Sequence, residues 1–154
     1  MSEFVAVYQD EVDKIADAKN LTASVAFQPI STDLTKHFKR NGGNPLGLAG
    51  QGPLNSGLYT QLTAIVIDVV MSWSNEADDA RILPAAESII NRFGAAARVR
   101  HLDHPFLYQN YASRKQHVFG SYGTANLERL RTVSKKYDPE RVWQKLQPGY
   151  FKLW

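Results

Sequence analysis

The residue best placed for chemistry in this sequence is Asp68, a carboxylate inside an apolar segment. That segment, LTAIVIDVVMSWS (residues 62–74), is rich in β-branched residues and predicts a strand. A carboxylate in such a strand is unfavourable unless it is paired or used. Asp68 is therefore a candidate catalytic general base or hydrogen-bond acceptor. The alternatives are an ion pair with Arg92 or Arg98, or contact with water on an exposed sheet face.

Alternation along the strand sorts its side chains onto two faces. One face is wholly apolar and is predicted to pack on helices: Ile65, Ile67, Val69, Met71 and Trp73. The other face is mixed, and we predict that Val66, Val70 and Ser72 bind substrate beside Asp68. Gln28, in the strand-like segment TASVAFQPI, is the second candidate catalytic residue because a neighbouring strand would bring it to the same face. A local hydrogen-bonding role for its amide is the alternative.

Other kinds of chemistry have little support. The chain has no cysteine, which excludes disulfides, thiol catalysis and cysteine metal sites. His101 and His104 have helical spacing, but Pro105 argues that no helix continues there, so we predict no metal site. The glycine-rich stretch 41–57 predicts a long loop, either functional or a flexible connector. Its glycine spacing fits neither standard phosphate-binding pattern.

Composition indicates a soluble globular protein. The 154 residues are 44% hydrophobic and 21% charged, enough for a single domain over residues 1–154. The net charge of +3 is small, and only the stretch after Arg98 is clearly basic, so we predict no nucleic-acid partner. The longest apolar run, Ala64 to Met71, is interrupted and far too short for a bilayer. We therefore expect a cytoplasmic protein without a membrane partner.

The element pattern predicts an α+β fold. We expect helices over residues 3–19, 34–40, 76–98, 121–139 and 139–146, and strands over residues 22–30 and 62–74. Pro29 is predicted to end the first strand, Pro84 to kink the long helix or start a fresh turn, and Leu127, Leu130 and Val133 to face inward. The aromatic C-terminal tail should dock on the core. We expect a small antiparallel sheet that is covered by helices on one face. A sheet of two strands is only marginally stable by itself, so either further strands were missed or a second copy completes the sheet in a homodimer.

The C-terminal third resembles the fungal FAD-linked oxidases related to berberine bridge enzyme. The family pattern is Tyr-x-Asn-Tyr, Tyr-Gly-x-x-Asn-x-x-Arg-Leu and then Lys-Lys-Tyr-Asp-Pro. The matching residues are Tyr108, Asn110, Tyr111, Tyr122, Gly123, Asn126, Arg129, Leu130, Lys136, Tyr137, Asp138 and Pro139. The resemblance implies that Tyr108, Asn110 and Tyr111 contact substrate, with a structural contact between tail and core as the alternative. The aromatic surroundings also predict that the Asn110 amide is buried.

The family's N-terminal half, which binds FAD, has no counterpart in this sequence. None of the four histidines lies in the family's flavin-attachment motif. The chain starts with Met-Ser and ends as the family ends, so we expect a complete but shortened protein without a cofactor. The segment LYQNY then resembles the lid of a flavin site from which the flavin half is gone.

Without a redox cofactor, hydride transfer has no electron acceptor. The sequence therefore predicts a cofactor-independent cyclase or isomerase, including the Diels–Alder class, acting on a lipophilic secondary-metabolite intermediate. It would hold the substrate in a reactive conformation and assist with a hydrogen bond or proton transfer. The alternatives are a non-catalytic binding or accessory protein, and a detached half of an FAD-linked oxidase that needs a separate flavin-binding chain.

Overall fold

The computed structural model describes residues 2–48, 62–149 and 151–154. The helices in this part of the chain are α1 (Ser2–Asp13), α2 (Thr32–Thr35), α3 (Asp79–Val99), α4 (Val118–Ser121), α5 (Thr124–Tyr137) and α6 (Val142–Leu146). The strands are β1 (Thr22–Ser31) and β2 (Leu62–Ser72), and short 3₁₀ turns cover Arg40–Gly42 and Glu76–Asp78. The predicted α+β class is confirmed. Residues 49–57 of the predicted glycine-rich loop lie outside the described residues.

The chain divides into two compact units. The first unit contains residues 1–28 and 67–103, and the second contains residues 29–66 and 104–154. Each strand contributes to both units, because β1 passes from the first into the second at Pro29 and β2 passes from the second into the first at Ile67.

The core of the first unit lies between one face of the sheet and helices α1 and α3. The strands form a two-stranded antiparallel sheet, and the Ser74 N–H donates to the Lys19 carbonyl at 3.2 Å just beyond it. Ile82 and Ile89 of α3 are fully buried. The predicted apolar face of β2 is confirmed for the residues that pack on this core, Ile67, Val69, Met71 and Trp73. Ile65 is 37% exposed, so the prediction is wrong for that residue.

Helix α1 is shorter than its hydrophobic pattern predicts. It ends at Asp13, and the chain continues in turns whose N–H groups reach back three residues, as from Ala18 to the Ile15 carbonyl at 3.0 Å. Ile15 and Ala18 stay buried, because side chains three residues apart still share a side in such turns. Asn20, directly after the predicted helix 3–19, has a left-handed φ of 56°, which ends this segment.

Strand β1 and helix α2 also differ from the prediction. Strand β1 runs through Pro29 to Ser31. A proline is tolerated there because, within the described sheet, β1 pairs only with β2 and its other edge needs no N–H donor. The predicted helix 34–40 is only one turn, Thr32–Thr35, with Ser31 as its N-cap: the Leu34 N–H donates to Ser31 Oγ at 3.2 Å.

Helix α3 matches the predicted long helix closely. It begins at Asp79, directly after the 3₁₀ turn, and continues to Val99 with Pro84 inside it. Because α3 is continuous through Pro84, this residue does not start a separate helix. Ile82, Ala85, Ile89, Phe93 and Ala96 are the buried residues, a spacing of three or four that keeps one stripe on the core.

Tyr122 is the centre of the second unit's core. It is 5% exposed, its ring stacks on Phe106 at a centroid distance of 5.8 Å, and Phe119 meets it edge-on at 5.9 Å. Gly123, with a φ of 90°, separates α4 from α5, so the helix predicted over 121–139 begins only at Thr124. Leu127 and Leu130 are half-buried, whereas Val133 is 48% exposed and the prediction that it faces inward is wrong.

The predicted docking of the tail is confirmed by hydrogen bonds within the second unit. Arg131 Nε donates to the Leu153 carbonyl at 2.8 Å, and the Leu153 N–H donates to Gln144 Oε1 at 3.0 Å. These bonds attach the C-terminal residues to both α5 and α6.

A buried carboxylate, Glu11, joins α1 to α3 in the first unit. It is 7% exposed and accepts hydrogen bonds from Arg92 Nη1 at 2.7 Å and Ser88 Oγ at 2.8 Å, with Lys14 Nζ at 3.2 Å. Arg92 also pairs with Asp10. Burial by itself raises the pKa of Glu11, but the hydrogen bonds from Arg92, Ser88 and Lys14 outweigh it and hold the pKa below its usual range.

We expect Glu11→Gln to lower the free energy of unfolding by about 1–2 kcal/mol at pH 7, because it removes charge-assisted hydrogen bonds from a buried site. A pKa that is lower in the folded state gives stability that is present above the ordinary value of 4.5 and is lost as the pH falls through the folded value. Urea unfolding at pH 7 and at acidic pH should therefore show a smaller difference between parent and variant in acid. The exposed Glu140→Gln should change little at either pH, and an equal Glu11→Gln loss at both would contradict this account.

Candidate functional site

Asp68 lies on the face of the sheet that points away from α1 and α3. Its neighbours in sequence, Ile67 and Val69, pack on the core, so the strand's alternation turns Asp68 to the opposite side. Its side chain is half-buried and forms no hydrogen bond or ion pair with the described residues. Burial raises the pKa of this carboxyl above its usual range. Of the predicted ion-pair partners, Arg92 instead pairs with Asp10 and Glu11, so that alternative is wrong.

Gln28 shares this face. Ala23, Val25 and Phe27 alternate as half-buried residues of β1, and Gln28, which follows Phe27, is exposed on the opposite side. The two candidate catalytic side chains are therefore on one face of the sheet.

The other predicted residues of β2 surround Asp68 along the strand. Val70 is 51% exposed and Ser72 is exposed, whereas Val66 is half-buried and lies in the second unit's part of the strand. In the first unit, Gln28, Asp68, Val70 and Ser72 form what we call the carboxylate face. It is an open strand face with one partly desolvated carboxylate among aliphatic and small polar side chains, a surface suited to lay a lipophilic molecule against a proton acceptor.

Tyr108, Asn110 and Tyr111 form one exposed turn in the second unit. The Tyr111 N–H donates to the Tyr108 carbonyl at 3.0 Å, and Asn110 Nδ2 donates to the Tyr108 hydroxyl at 3.0 Å. The two tyrosine rings meet edge-on at a centroid distance of 4.7 Å. The prediction that Asn110 is buried is wrong, because its amide bonds to a neighbouring ring hydroxyl and stays exposed.

Two open clefts lie within the second unit. One, of about 510 Å³, is lined by amide side chains and Trp143, with Asn110 as the predicted site residue that contributes to it. The other, of about 520 Å³, combines basic and aromatic side chains from residues 114–120, from α5 and from the C-terminal tail. Sequence reasoning missed this second cleft because its walls are distant in sequence and carry no motif. The basic bias after Arg98 was the signal that pointed toward it.

The described residues contain no group of three or more His, Asp or Glu side chains that could hold a metal ion. His104 Nδ1 instead accepts the Phe106 N–H at 3.1 Å, a local turn contact. Helix α3, which is the longest helix in the described part, is too rich in charged residues to cross a bilayer, and the shorter helices do not reach across one.

Comparison with known protein families gives a match in the C-terminal third of the chain, where the sequence motifs lie. Residues 107–148 match the family model described as berberine and berberine like. Strand β2 and the residues before it lie outside that match, so the carboxylate face is related to known proteins only through pairwise similarity.

Similarity to curated fungal proteins extends over most of the chain. An FAD-dependent monooxygenase of Arthrobotrys oligospora is 39% identical over 127 residues, covering 82% of this chain and 22% of that protein. An FAD-dependent monooxygenase of Cochliobolus heterostrophus is 30% identical over 97% of this chain and 28% of its own length. The bifunctional solanapyrone synthase of Alternaria solani is 36% identical over 82% of this chain and 22% of its own length. The chain spans about a quarter of the length of these relatives, and no solved structure matches it.

The described residues do not fit a tightly enclosed FAD. Both clefts are open and each has the size of a site for a small organic ligand, whereas a dinucleotide held for redox chemistry is enclosed along most of its length. We assign no chemical step to a flavin held by this chain. The predicted resemblance is nevertheless confirmed: the chain is a relative of the berberine and berberine-like proteins, and it corresponds to about a quarter of the length of the fungal FAD-dependent monooxygenases.

Proposed function

We propose that this chain supplies the substrate-binding, proton-accepting side of an FAD-linked oxidation of a lipophilic small molecule, with the flavin held by residues outside it. The observation that carries the proposal is Asp68, a half-buried carboxylate without a partner among the described residues, on an open strand face. An unpaired carboxylate whose pKa is raised by burial is a better proton acceptor than one held by an arginine, because its lone pairs are available and its protonated form is favoured.

The chemistry divides between the two sides of such a site. Dehydrogenation of a substrate removes a hydride, which carries two electrons, and a separate proton, and protein side chains cannot take up the two electrons reversibly. Asp68 would accept the proton, Gln28 would hold a polar group of the substrate, and Val70 would contact its apolar body. Two of the relatives named above support this division: both are named for FAD, and each is about four times as long as this chain.

A second candidate function is a cofactor-independent cyclase or isomerase, including the Diels–Alder class. Asp68 favours it as well, because proton transfer to or from an unpaired carboxylate needs no flavin. The similarity to a bifunctional synthase lends it further support. In this case the carboxylate face would hold the intermediate in its reactive conformation, with Asp68 and Gln28 assisting.

An exchange of segments separates the two candidates. The exchanged enzyme is the Arthrobotrys oligospora monooxygenase in which residues 1–154 of this chain replace the matching segment. It is purified in parallel with the isolated chain. We expect the exchanged enzyme to be yellow and to convert the monooxygenase's own substrate, while the isolated chain retains no FAD after gel filtration and converts nothing. Flavin-free conversion by the isolated chain would favour the second candidate, and a yellow but inactive exchanged enzyme would contradict the first.

We also propose that the isolated chain forms a homodimer through its thin sheet. In the described sheet each strand has one neighbour, so a second copy that pairs with a free strand edge would satisfy unpaired backbone groups and leave the carboxylate face open. Multi-angle light scattering of the purified chain should give twice the chain mass of 17.3 kDa. A monomer across the accessible concentration range would contradict the proposal.

A further inference from the structure

The two units carry opposite charge, which the small overall charge conceals. The second unit has twelve Lys and Arg residues against four Asp and Glu, a net charge of +8, whereas the first has six against eleven, a net charge of −5. Together they give the +3 of the whole chain. The second unit therefore has a strong positive electrostatic field of its own.

The positive charge of the second unit is concentrated at the cleft of about 520 Å³, which we call the basic cleft. Four cationic side chains line it, Arg114, Lys115, Arg131 and Lys152, and the lining contains no Asp or Glu. Arg131 is held in place by its bond to the Leu153 carbonyl and by its pair with Glu128 at 2.7 Å. Several cations in the lining of one concave surface are an arrangement that favours an anion.

Apolar side chains form much of the same lining. They come from three separate segments: Val118 and Phe119 from α4, Leu127 from α5, and Phe151 and Trp154 from the tail. Val118 is 1% exposed, so this part of the wall belongs to the unit's core and is well fixed. A ligand in this cleft would meet both charge and aromatic surface, which excludes a bare inorganic ion as its best match.

Three cationic side chains lie close to the indole ring of Trp154 at the edge of the cleft. Arg141 lies 4.3 Å, Lys135 5.1 Å and Arg131 5.3 Å from the centre of the indole ring. In the described part of the chain, neither Lys135 nor Arg141 forms an ion pair with a carboxylate. Contact with the indole face attracts each cation but leaves their mutual repulsion in place, and a bound anion would relieve it.

We propose that the basic cleft binds an organic anion with an apolar body, such as an aromatic or aliphatic carboxylate or sulfonate. The anionic group would be held by Lys115, Lys152 and Arg114, and the apolar body would rest on Phe119, Leu127 and Trp154. The volume of the cleft is in the range of small-molecule sites and its lining combines apolar and cationic side chains, whereas a nucleic acid would need an extended stripe of cations along its phosphates. This site is distinct from the carboxylate face and does not depend on the function proposed for it.

Two fluorescent probes of similar shape test the charge requirement. The full chain is titrated with 8-anilino-1-naphthalenesulfonate and with N-phenyl-1-naphthylamine, which lacks the sulfonate. At about 0.15 M salt we expect the sulfonate to bind at least about tenfold more tightly than the neutral probe. Decanoate should displace the sulfonate probe and decanol should not. Equal affinity for the two probes, or stronger displacement by a single-stranded oligonucleotide than by decanoate, would overturn the proposal.

Matched variants place the binding in the cleft. The double variant Lys115→Gln and Lys152→Gln should weaken sulfonate binding about tenfold and leave the neutral probe within about twofold. The double variant Lys136→Gln and Lys145→Gln removes the same charge outside the cleft lining and should bind as the parent does. Lys115→Arg with Lys152→Arg keeps both charges and should retain affinity, which separates loss of charge from loss of fold. The same weakening in both glutamine pairs would overturn the assignment.

Discussion

Asp68→Asn is expected to slow substrate conversion by the segment-exchanged enzyme about 10²–10⁴-fold, the range of a lost general base. Asparagine keeps the size and hydrogen-bonding surface of the side chain but cannot take up a proton. The flavin content and the Michaelis constant should stay close to those of the parent, because the carboxylate acts on the proton and does not hold the flavin. The rates are measured by steady-state kinetics and are normalised to the enzyme concentration that the flavin absorbance gives.

The same substitution should make the isolated chain more stable at neutral pH. Burial raises the pKa of Asp68, so the folded chain binds this proton more tightly than the unfolded chain does. Its contribution is then most favourable below the ordinary value of 3.8 and is lost as the pH rises through the folded value. The stability advantage of Asp68→Asn should accordingly appear on going from acid to neutral pH. Loss of activity together with gain of stability is typical of a residue retained for function.

Asp103→Asn is the matched control, because Asp103 is an exposed aspartate of the same unit. It should leave both conversion and unfolding close to the parent's. Full activity in Asp68→Asn would remove the proposed proton transfer, and lower stability at pH 7 would show that the carboxylate has a structural partner.

Gly47→Ala is expected to be the most destabilising of the small substitutions in the second unit, by about 3–4 kcal/mol. Gly47 has a φ of 74°, which an alanine adopts at a penalty of about 1–2 kcal/mol. An added Cβ would also lie 2.7 Å from the carbonyl oxygen of Tyr122, and a backbone atom at the centre of the core cannot move aside. Overpacking of this kind adds roughly 1–3 kcal/mol.

Two further glycines separate these contributions. Gly123 has a φ of 90° and open space where a Cβ would point, so Gly123→Ala should show the backbone penalty alone. Gly120 lies inside α4 with its nearest neighbour at 3.9 Å, so Gly120→Ala should be close to neutral. Hydrogen exchange of amides in α4 and α5, read beside urea unfolding, reports on this unit specifically. Equal losses for Gly47→Ala and Gly123→Ala would mean that the close approach to Tyr122 is absent.

Local sequence patterns predicted the features that depend on local geometry. The two faces of β2 follow from the alternation of a strand, and the long helix predicted over 76–98 corresponds to α3, Asp79–Val99, so both were predicted closely. The N-cap of α2 also depends on local geometry, because Ser31 accepts the N–H of Leu34, three residues along the chain. The C-terminal motifs placed the chain beside the berberine-like proteins, because those residues stand at fixed spacings in one continuous stretch.

Features built from distant residues could not be predicted in this way. Glu11 resembled part of the polar face of α1, yet it is buried because Ser88 and Arg92, far along the chain, supply its hydrogen bonds. The basic cleft needs residues near 115, 130 and 152 at once, and no periodic signal connects them. Asn110 looked buried from its aromatic neighbours, but Tyr108 and Tyr111 contact each other and leave its amide exposed.

The most direct test of the proposed function compares three purified samples on the monooxygenase's substrate: the isolated chain, the segment-exchanged enzyme, and that enzyme carrying Asp68→Asn. The account predicts conversion only in the exchanged enzyme, and an Asp68→Asn sample that is equally yellow but slower by at least about a hundredfold. Conversion by the colourless isolated chain, or equal rates in the two yellow samples, would contradict it.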